Sequence, residues 1–465
     1  MEPERLMTAS TRRAAWGERL ARILVAALEA VDPEVAVLNA MQRQGEQLII
    51  EDQAYDLRQF RRVLLVGAGK AGAPMARAVA EILGERLSGG VVIVKEGYAG
   101  TGAKTRRYEI LEAGHPIPDE RGIEATRRIK EILSSAQQDD LVICLISGGG
   151  SALMTSPAAG LGLENLQALT STLLACGANI NEINALRKHL DTIKGGGIAN
   201  LAAPATLVTL ILSDVVGDPL DVIASGPTVP DTSTFESAYQ VLNHYGIASK
   251  VPEPIMRHLK RGCRGDLADT PKPGDPIFAR VRNTVIGSNR KAAQAALQQA
   301  QREGFHSMLL TTYLQGEARQ AGRMLASIAK QIAASDQPLP RPACIVAGGE
   351  TTVTLRSGHT ETDKHGLGGR NQELALSAVS DLSGLANIAL VTLATDGGDG
   401  PTDAAGAIVT GETLERARQA GFDPNEFLSC NDSYHFFEPL GDLLKPGPTQ
   451  TNVNDLAFIF AFELS

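Results

Sequence analysis

The sequence has few aromatic residues, 4% of 465 positions, and so lacks the material for a base-stacking platform or an aromatic-rich binding face. Cysteine is scarce too. Cys144, Cys176, Cys263, Cys344 and Cys430 stand singly, with no CxxC pair and no even count. That argues against a disulfide framework and a zinc site, and leads us to expect a reducing, cytoplasmic setting. Positive charge is not in excess. The 44 Lys+Arg against 53 Asp+Glu give a formal net charge of -9, so no long-range pull toward nucleic acid or anionic lipid is expected, and an anionic ligand must be captured locally. No run reaches the roughly 18 to 20 apolar residues of a membrane helix. Met1–Ala15 lacks the apolar stretch of a secretory signal.

What is present is globular. Hydrophobic residues make up 43% and charged residues 21%, and the length implies two or three domains. Short Val/Ile/Leu runs at Val63–Val66, Val91–Val94, Leu141–Ile146 and Leu207–Leu212 alternate with helical patterns at Gly72–Leu83, Glu120–Leu133 and Leu163–Leu174. This predicts an α/β fold with a parallel sheet buried on both faces. Glu18–Val31 reads as an N-terminal amphipathic helix stopped by Asp32-Pro33. Between Val251 and Arg282 the composition turns to Pro, Gly and charge, and a domain boundary is expected there. A second α/β series follows, with strands near Thr284–Gly287, Ser307–Thr311, Ala343–Ala347 and Ala389–Leu393, and helices at Arg290–Glu303, Glu317–Ser335 and Asn371–Ser380.

The 47 glycines cluster where strands end. Gly67-Ala68-Gly69-Lys70-Ala71-Gly72 follows a strand and opens a helix, the context that gives GxGxxG its meaning. Three readings stay open: a dinucleotide site, a tight turn alone, and a substrate or phosphoryl site in which Lys70 reaches over phosphate. The next strand ends in Lys95-Glu96 rather than an unambiguous ribose-binding acid. In Ser147-Gly148-Gly149-Gly150-Ser151 the glycines either form an amide nest for a carboxylate or phosphate, or only turn strand into helix. The Walker spacing is absent. Arg187 and Lys194, near the glycine run Gly195–Gly197, are either ligands or helix-terminal cations; His189 reads as structural. Asp214 and Asp218 lie just past a strand end, where they could hold Mg²⁺ through waters or simply shape a turn. Farther on, Arg370 opens a helix behind glycines, oriented for a bidentate contact with a carboxylate or phosphate, or for a domain-interface salt bridge. Asp396 and Asp399 are too sparse for an EF-hand.

Taken together these stretches resemble the glycerate 2-kinase family, whose C-terminal half carries a MOFRL domain. The resemblance runs from about Ala14 through GAGKAG, EAGHPIPD (Glu112–Asp119), LISGGGSAL (Leu145–Leu153), RKHLDTIKGGG (Arg187–Gly197), LSDVVGDPLDVIASGPTVPD (Leu212–Asp231), GGETTV, GLGGRNQEL, TDGGDGPTDAAG and GPTQTNVNDL (Gly447–Leu456), in that order. It implies two Rossmann-like domains with largely parallel sheets and an interdomain cleft, a glycerate kinase domain over 14–260 and a MOFRL domain over 283–465. It also implies ATP-dependent phosphorylation of D-glycerate at the 2-hydroxyl, giving 2-phosphoglycerate and ADP. Lys70 and Arg370 match the family's lysine and arginine and are the expected catalytic residues. Gly69, Ser147, Gly148, Gly149, Gly150, Ser151, Arg187 and Lys194 are expected around substrate or phosphate, with Mg²⁺ on Asp214 or Asp396. Members of the family have also carried the label hydroxypyruvate reductase, so an NAD(P)H-dependent reductase is the alternative. A cytoplasmic monomer or homodimer is expected, with no nucleic-acid or membrane partner.

Overall fold

The computed structural model describes residues 1–100, 107–355 and 366–463. They form two compact units, Pro33–Ile286, and Met1–Asp32 joined to Gly287–Ser465.

The Pro33–Ile286 unit opens with a small antiparallel sheet of β1 (Met41–Gln44), β2 (Gln47–Ile50) and β3 (Gln53–Asp56). Its main sheet contains β4 (Arg62–Ala68), β5 (Leu87–Lys95), β6 (Glu109–Ala113), β7 (Asp140–Ile146), β8 (Thr206–Leu212) and β9 (Val281–Gly287), in the order β6-β5-β4-β7-β8-β9. Strands β6, β5, β4, β7 and β8 run parallel. Every residue of β7 is buried, as a strand covered by helices on both faces requires. The flanking helices Gly72–Leu83, Glu120–Ser134 and Leu163–Ala175 fall where the apolar spacing put them. The chain moves outward from β4 to β6, then returns to β4's other side with β7. That reversal creates a switch point at the carboxyl ends of β4 and β7, where such sheets leave a crevice. Both leading glycine clusters sit there.

β9 corrects one expectation. The strand expected to open the second series is instead the edge of the first sheet, beside β8. The Pro/Gly-rich stretch before it holds the helix Glu253–Cys263, whose buried Ile255 and Leu259 pack within this unit.

In the other unit β10 (His306–Leu314), β11 (Ala343–Gly349), β12 (Ile388–Ala394), β13 (Gly406–Thr410), β14 (Leu443–Leu444) and β15 (Asp455–Ala461) form a sheet in the order β10-β11-β15-β12-β13-β14. Only β10 and β11 pair in parallel, while β15 runs antiparallel to both β11 and β12 and β13 runs antiparallel to β12. The sheet is therefore mixed, not largely parallel. All seven residues of β15 are buried, and a strand buried on both faces looks the same in either direction, so hydrophobicity cannot orient it. The N-terminal helix Gly17–Glu29 belongs to this unit. It packs on the helix Asn289–Arg302, Arg22 pairs with Glu303 at 2.7 Å, and Trp16 stacks on Phe462 with centroids 4.1 Å apart. No helix among the described residues is long and apolar enough to cross a membrane.

Candidate functional site

The GxGxxG turn is folded onto its neighbours through its own amides. Gly69 donates to the Ile93 carbonyl (3.0 Å), Lys70 to the Gly148 carbonyl (2.9 Å), Ala71 to Ser147 Oγ (3.0 Å) and Gly72 to the Gly69 carbonyl (3.0 Å). Gly69 sits at φ +146°, and a Cβ there would stand 2.0 Å from Ser147 Oγ, so only glycine fits. A turn whose N–H groups are spent in this way offers little to a pyrophosphate. At the start of the following helix Pro74 contributes no N–H either. Of the three readings of the motif, the dinucleotide one loses its physical basis. Ser147 and Gly69 are accordingly placed as the lock between the two turns, and Ser147 is 2% exposed.

The second turn is different. Among the described residues no acceptor takes the N–H groups of Gly148 or Gly149, and Gly149 is left-handed at φ +85°, which bends the turn so that successive amides open to one side. The Lys70 side chain lies along this turn, its Cγ 3.6 Å from where a Gly149 Cβ would be. Its ammonium has neither a hydrogen bond nor an ion pair among the described residues. Arg187, on the helix Ile180–Leu190, is half-buried and likewise unpaired, and burial pushes its guanidinium below its ordinary value. A cation without a protein counter-ion among the described residues, lying along free amides, has the chemistry of an anion site.

Lys194 lies behind that site. It is 5% exposed and gives its protons to the carbonyls of Ser151 (2.8 Å) and Met154 (2.9 Å), with Asp191 at 3.2 Å. Burial lowers its pKa and Asp191 partly restores it. We read it as the residue that holds the short helix Gly150–Leu153 in place. Ser225 Oγ gives its one proton to Asn184 Oδ1 (3.0 Å), so Ser151 Oγ donates to Ser225 (2.9 Å). Asp214, just past the end of β8, sets a carboxylate oxygen 2.2 Å from the position of a Gly148 Cβ; this carboxylate lies against the amide turn and would have to move for any larger residue there.

His115 was missed in the sequence, although EAGHPIPD was singled out. Its ring packs on the same turn, with Cδ2 2.8 Å and Nε2 2.9 Å from a Gly149 Cβ. Burial first, then the charges of Lys70 and Lys95, push its pKa down to about 4.

In the other unit Arg370 begins the helix Arg370–Leu382. Its Nε donates to Asp455 Oδ2 (2.5 Å), Nη2 to Asp455 Oδ1 (3.4 Å) and Nη1 to Glu350 Oε1 (2.7 Å). The fork expected to face a ligand is engaged by a carboxylate of β15. Burial opposes the Arg370 charge, but Asp455 and Glu350 outweigh it and raise its pKa. Asp399 accepts the helix's first amides, from Asn371 (3.2 Å) and Gln372 (2.8 Å), and burial raises it to about 6 in spite of them. Asp396 is exposed and caps its own turn through the Gly398 N–H (3.2 Å).

No group of three or more metal-ligating side chains occurs among the described residues. Mg²⁺ carried on phosphates needs only one or two protein carboxylates, so Asp214 beside the open amides has the chemistry for it.

Comparison with known proteins agrees along most of the chain. Residues 19–260 match a family described as a domain of unknown function, DUF4147, and residues 343–455 match the MOFRL family. A glycerate 2-kinase of Pyrococcus horikoshii is 43% identical over 94% of this chain and 95% of its own. A D-glycerate 2-kinase of Thermotoga maritima is 45% identical over 85% and 89%. A protein of Agrobacterium vitis that bears hydroxypyruvate reductase in its name is 42% identical over 95% and 93%. The crystal structure of a glycerate kinase from Thermotoga maritima superposes with a TM-score of 0.84 at 42% identity, covering 96% of this chain and 99% of that one. With its motifs, its folds and these relatives in agreement, the chain belongs to the glycerate 2-kinase family, built from a DUF4147 and a MOFRL domain.

Proposed function

We propose that this protein transfers the γ-phosphoryl group of ATP to the 2-hydroxyl of D-glycerate, giving 2-phosphoglycerate and ADP. One observation carries the geometric side of this reading: Lys70, without a protein counter-ion among the described residues, lies along the turn that holds the free amides of Gly148 and Gly149. The names of the relatives at 43% and 45% identity support the same activity.

Phosphoryl transfer asks the protein for alignment and for neutralisation of the charge on the moving group. In our reading Lys70 faces the transferred phosphoryl, while the Gly148 and Gly149 amides and Arg187 take the glycerate carboxylate. Asp214 is the proposed partner of Mg²⁺, which supplies charge neutralisation on the ATP phosphates when bound. Arg370 is proposed as a second catalytic cation, its charge held ready by Asp455 and Glu350. Asp396, already capping a turn, is the weaker candidate for the metal. We propose that the reaction runs in the cytoplasm, where ATP is supplied and singly scattered cysteines stay reduced.

The reductase alternative is separated by one pair of assays. ADP should form in proportion to D-glycerate, and NAD(P)H should not be oxidised with hydroxypyruvate; the opposite pair of results would establish the reductase.

A further inference from the structure

His115 is an imidazole with no assigned task in a site that needs a proton acceptor. It is half-buried, and neither ring nitrogen has a hydrogen bond or ion pair among the described residues. Its ring and the Lys70 side chain meet the same point, the position of a Gly149 Cβ, with Nε2 at 2.9 Å and Lys70 Cγ at 3.6 Å. The free amides of Gly148 and Gly149 belong to that same turn. An alcohol acceptor must lose its proton as the new O–P bond forms, and the groups common in this role are imidazole and carboxylate. Lys70 is already assigned to the transferred phosphoryl. Asp214 lies against Gly148 and is already assigned to Mg²⁺.

We infer that His115 is the general base that takes the proton from the 2-hydroxyl of glycerate, an inference that rests on the kinase reading above. The hydroxyl oxygen forms a bond to the γ-phosphorus, the bond from that phosphorus to the β,γ-bridging oxygen breaks, and its electron pair leaves with ADP. The hydroxyl proton passes to a ring nitrogen of His115 and then to water. Burial beside Lys70 and Lys95 keeps the imidazole neutral at physiological pH, with its pKa down at about 4, so its lone pair is free to accept a proton, as a weaker base than an exposed imidazole, and the proton is released quickly afterwards. The arrangement also accounts for which hydroxyl reacts. With the carboxylate on the Gly148 and Gly149 amides, the hydroxyl on the adjacent carbon falls beside His115, and the terminal one lies a bond farther away.

The test uses the full-length protein with ATP, Mg²⁺ and D-glycerate, and variants His115→Ala and His115→Gln. Glutamine can hold a hydroxyl by a hydrogen bond but cannot take its proton. If His115 is the base, both variants melt as wild type does and keep their KM for ATP. Their kcat falls about a hundredfold or more, the usual contribution of general-base catalysis. Turnover by His115→Gln within a few-fold of wild type overturns the inference, whether or not the alanine variant folds. A wild-type protein that makes no ADP with glycerate overturns the kinase reading and the base with it, so the two failures are told apart by the wild-type control.

Discussion

Arg370→Ala strands a buried carboxylate. Asp455 is 8% exposed and meets Arg370 Nε at 2.5 Å and Nη2 at 3.4 Å. Removing one partner of a buried pair costs about 3–5 kcal/mol, since the other charge is left uncompensated. The Arg370 side chain is 33% exposed, so water softens the loss, and the low end, about 3 kcal/mol, is expected. At about 2–4 °C per kcal/mol for a domain of this size, the unit should melt about 6–12 °C earlier. The sign with pH follows from Asp455. Burial already raises its pKa against the pull of Arg370, and without Arg370 the folded value rises further above the unfolded one. A raised folded pKa leaves stability intact at low pH and removes it as pH rises through that value. The deficit of Arg370→Ala should therefore be larger at about pH 8 than at about pH 5.5, and Arg370→Ala/Asp455→Asn should recover most of it. Calorimetric melting of the three proteins at both pH values decides the matter. A single variant that melts as wild type does, or a double variant no better than the single, would show that the pair carries no stability and that Arg370 is simply a ligand-facing side chain.

Lys70→Ala should lower kcat by about 10²–10³, the usual loss for one preorganised charge contact, and leave melting unchanged because the turn is held by its backbone bonds; near-normal turnover would make Lys70 a surface charge. Lys194→Met should do the reverse. It leaves the Ser151 and Met154 carbonyls without their donor and Asp191 without its cation, so a loss of about 3 kcal/mol in stability is expected. A normal melt with a raised KM for glycerate would instead make Lys194 a substrate ligand. The Asp399 carboxyl should titrate near 6 when followed by carbon NMR. Because that value lies above the unfolded one, Asp399 should subtract from stability as pH rises between about 4 and 6; an ordinary carboxylate value would contradict its burial at the helix start.

Much of this was legible before any coordinates. Runs such as Leu141–Ile146 announced strands covered on both faces, and the glycines after them marked the strand ends. The sequence could not tell which amides are free. Gly69 and Gly148 look alike as letters, yet the N–H groups of Gly69, Lys70 and Ala71 are consumed by Ile93, Gly148 and Ser147, and those of Gly148 and Gly149 have no acceptor among the described residues. Nor could local pattern place Asp455 against Arg370, 85 residues away, because that pairing depends on β15 running antiparallel between β11 and β12. The helix Gly17–Glu29 was seen as a helix, but its attachment to the C-terminal half rests on distant partners, Glu303 and Phe462. His115 passed unnoticed for the same reason: its neighbours are Gly149 and Lys70, remote in sequence, and the carboxylates of its own motif, Glu112 and Asp119, accept from backbone amides elsewhere.

The most direct measurement is phosphorus NMR of the product made from ATP, Mg²⁺ and D-glycerate. In the proposed reading the Gly148 and Gly149 amides and Arg187 take the carboxylate and Lys70 faces the phosphoryl group, so 2-phosphoglycerate should appear together with ADP. A product phosphorylated at the 3-hydroxyl, or no phosphorylated product alongside oxidation of NAD(P)H by hydroxypyruvate, would contradict it.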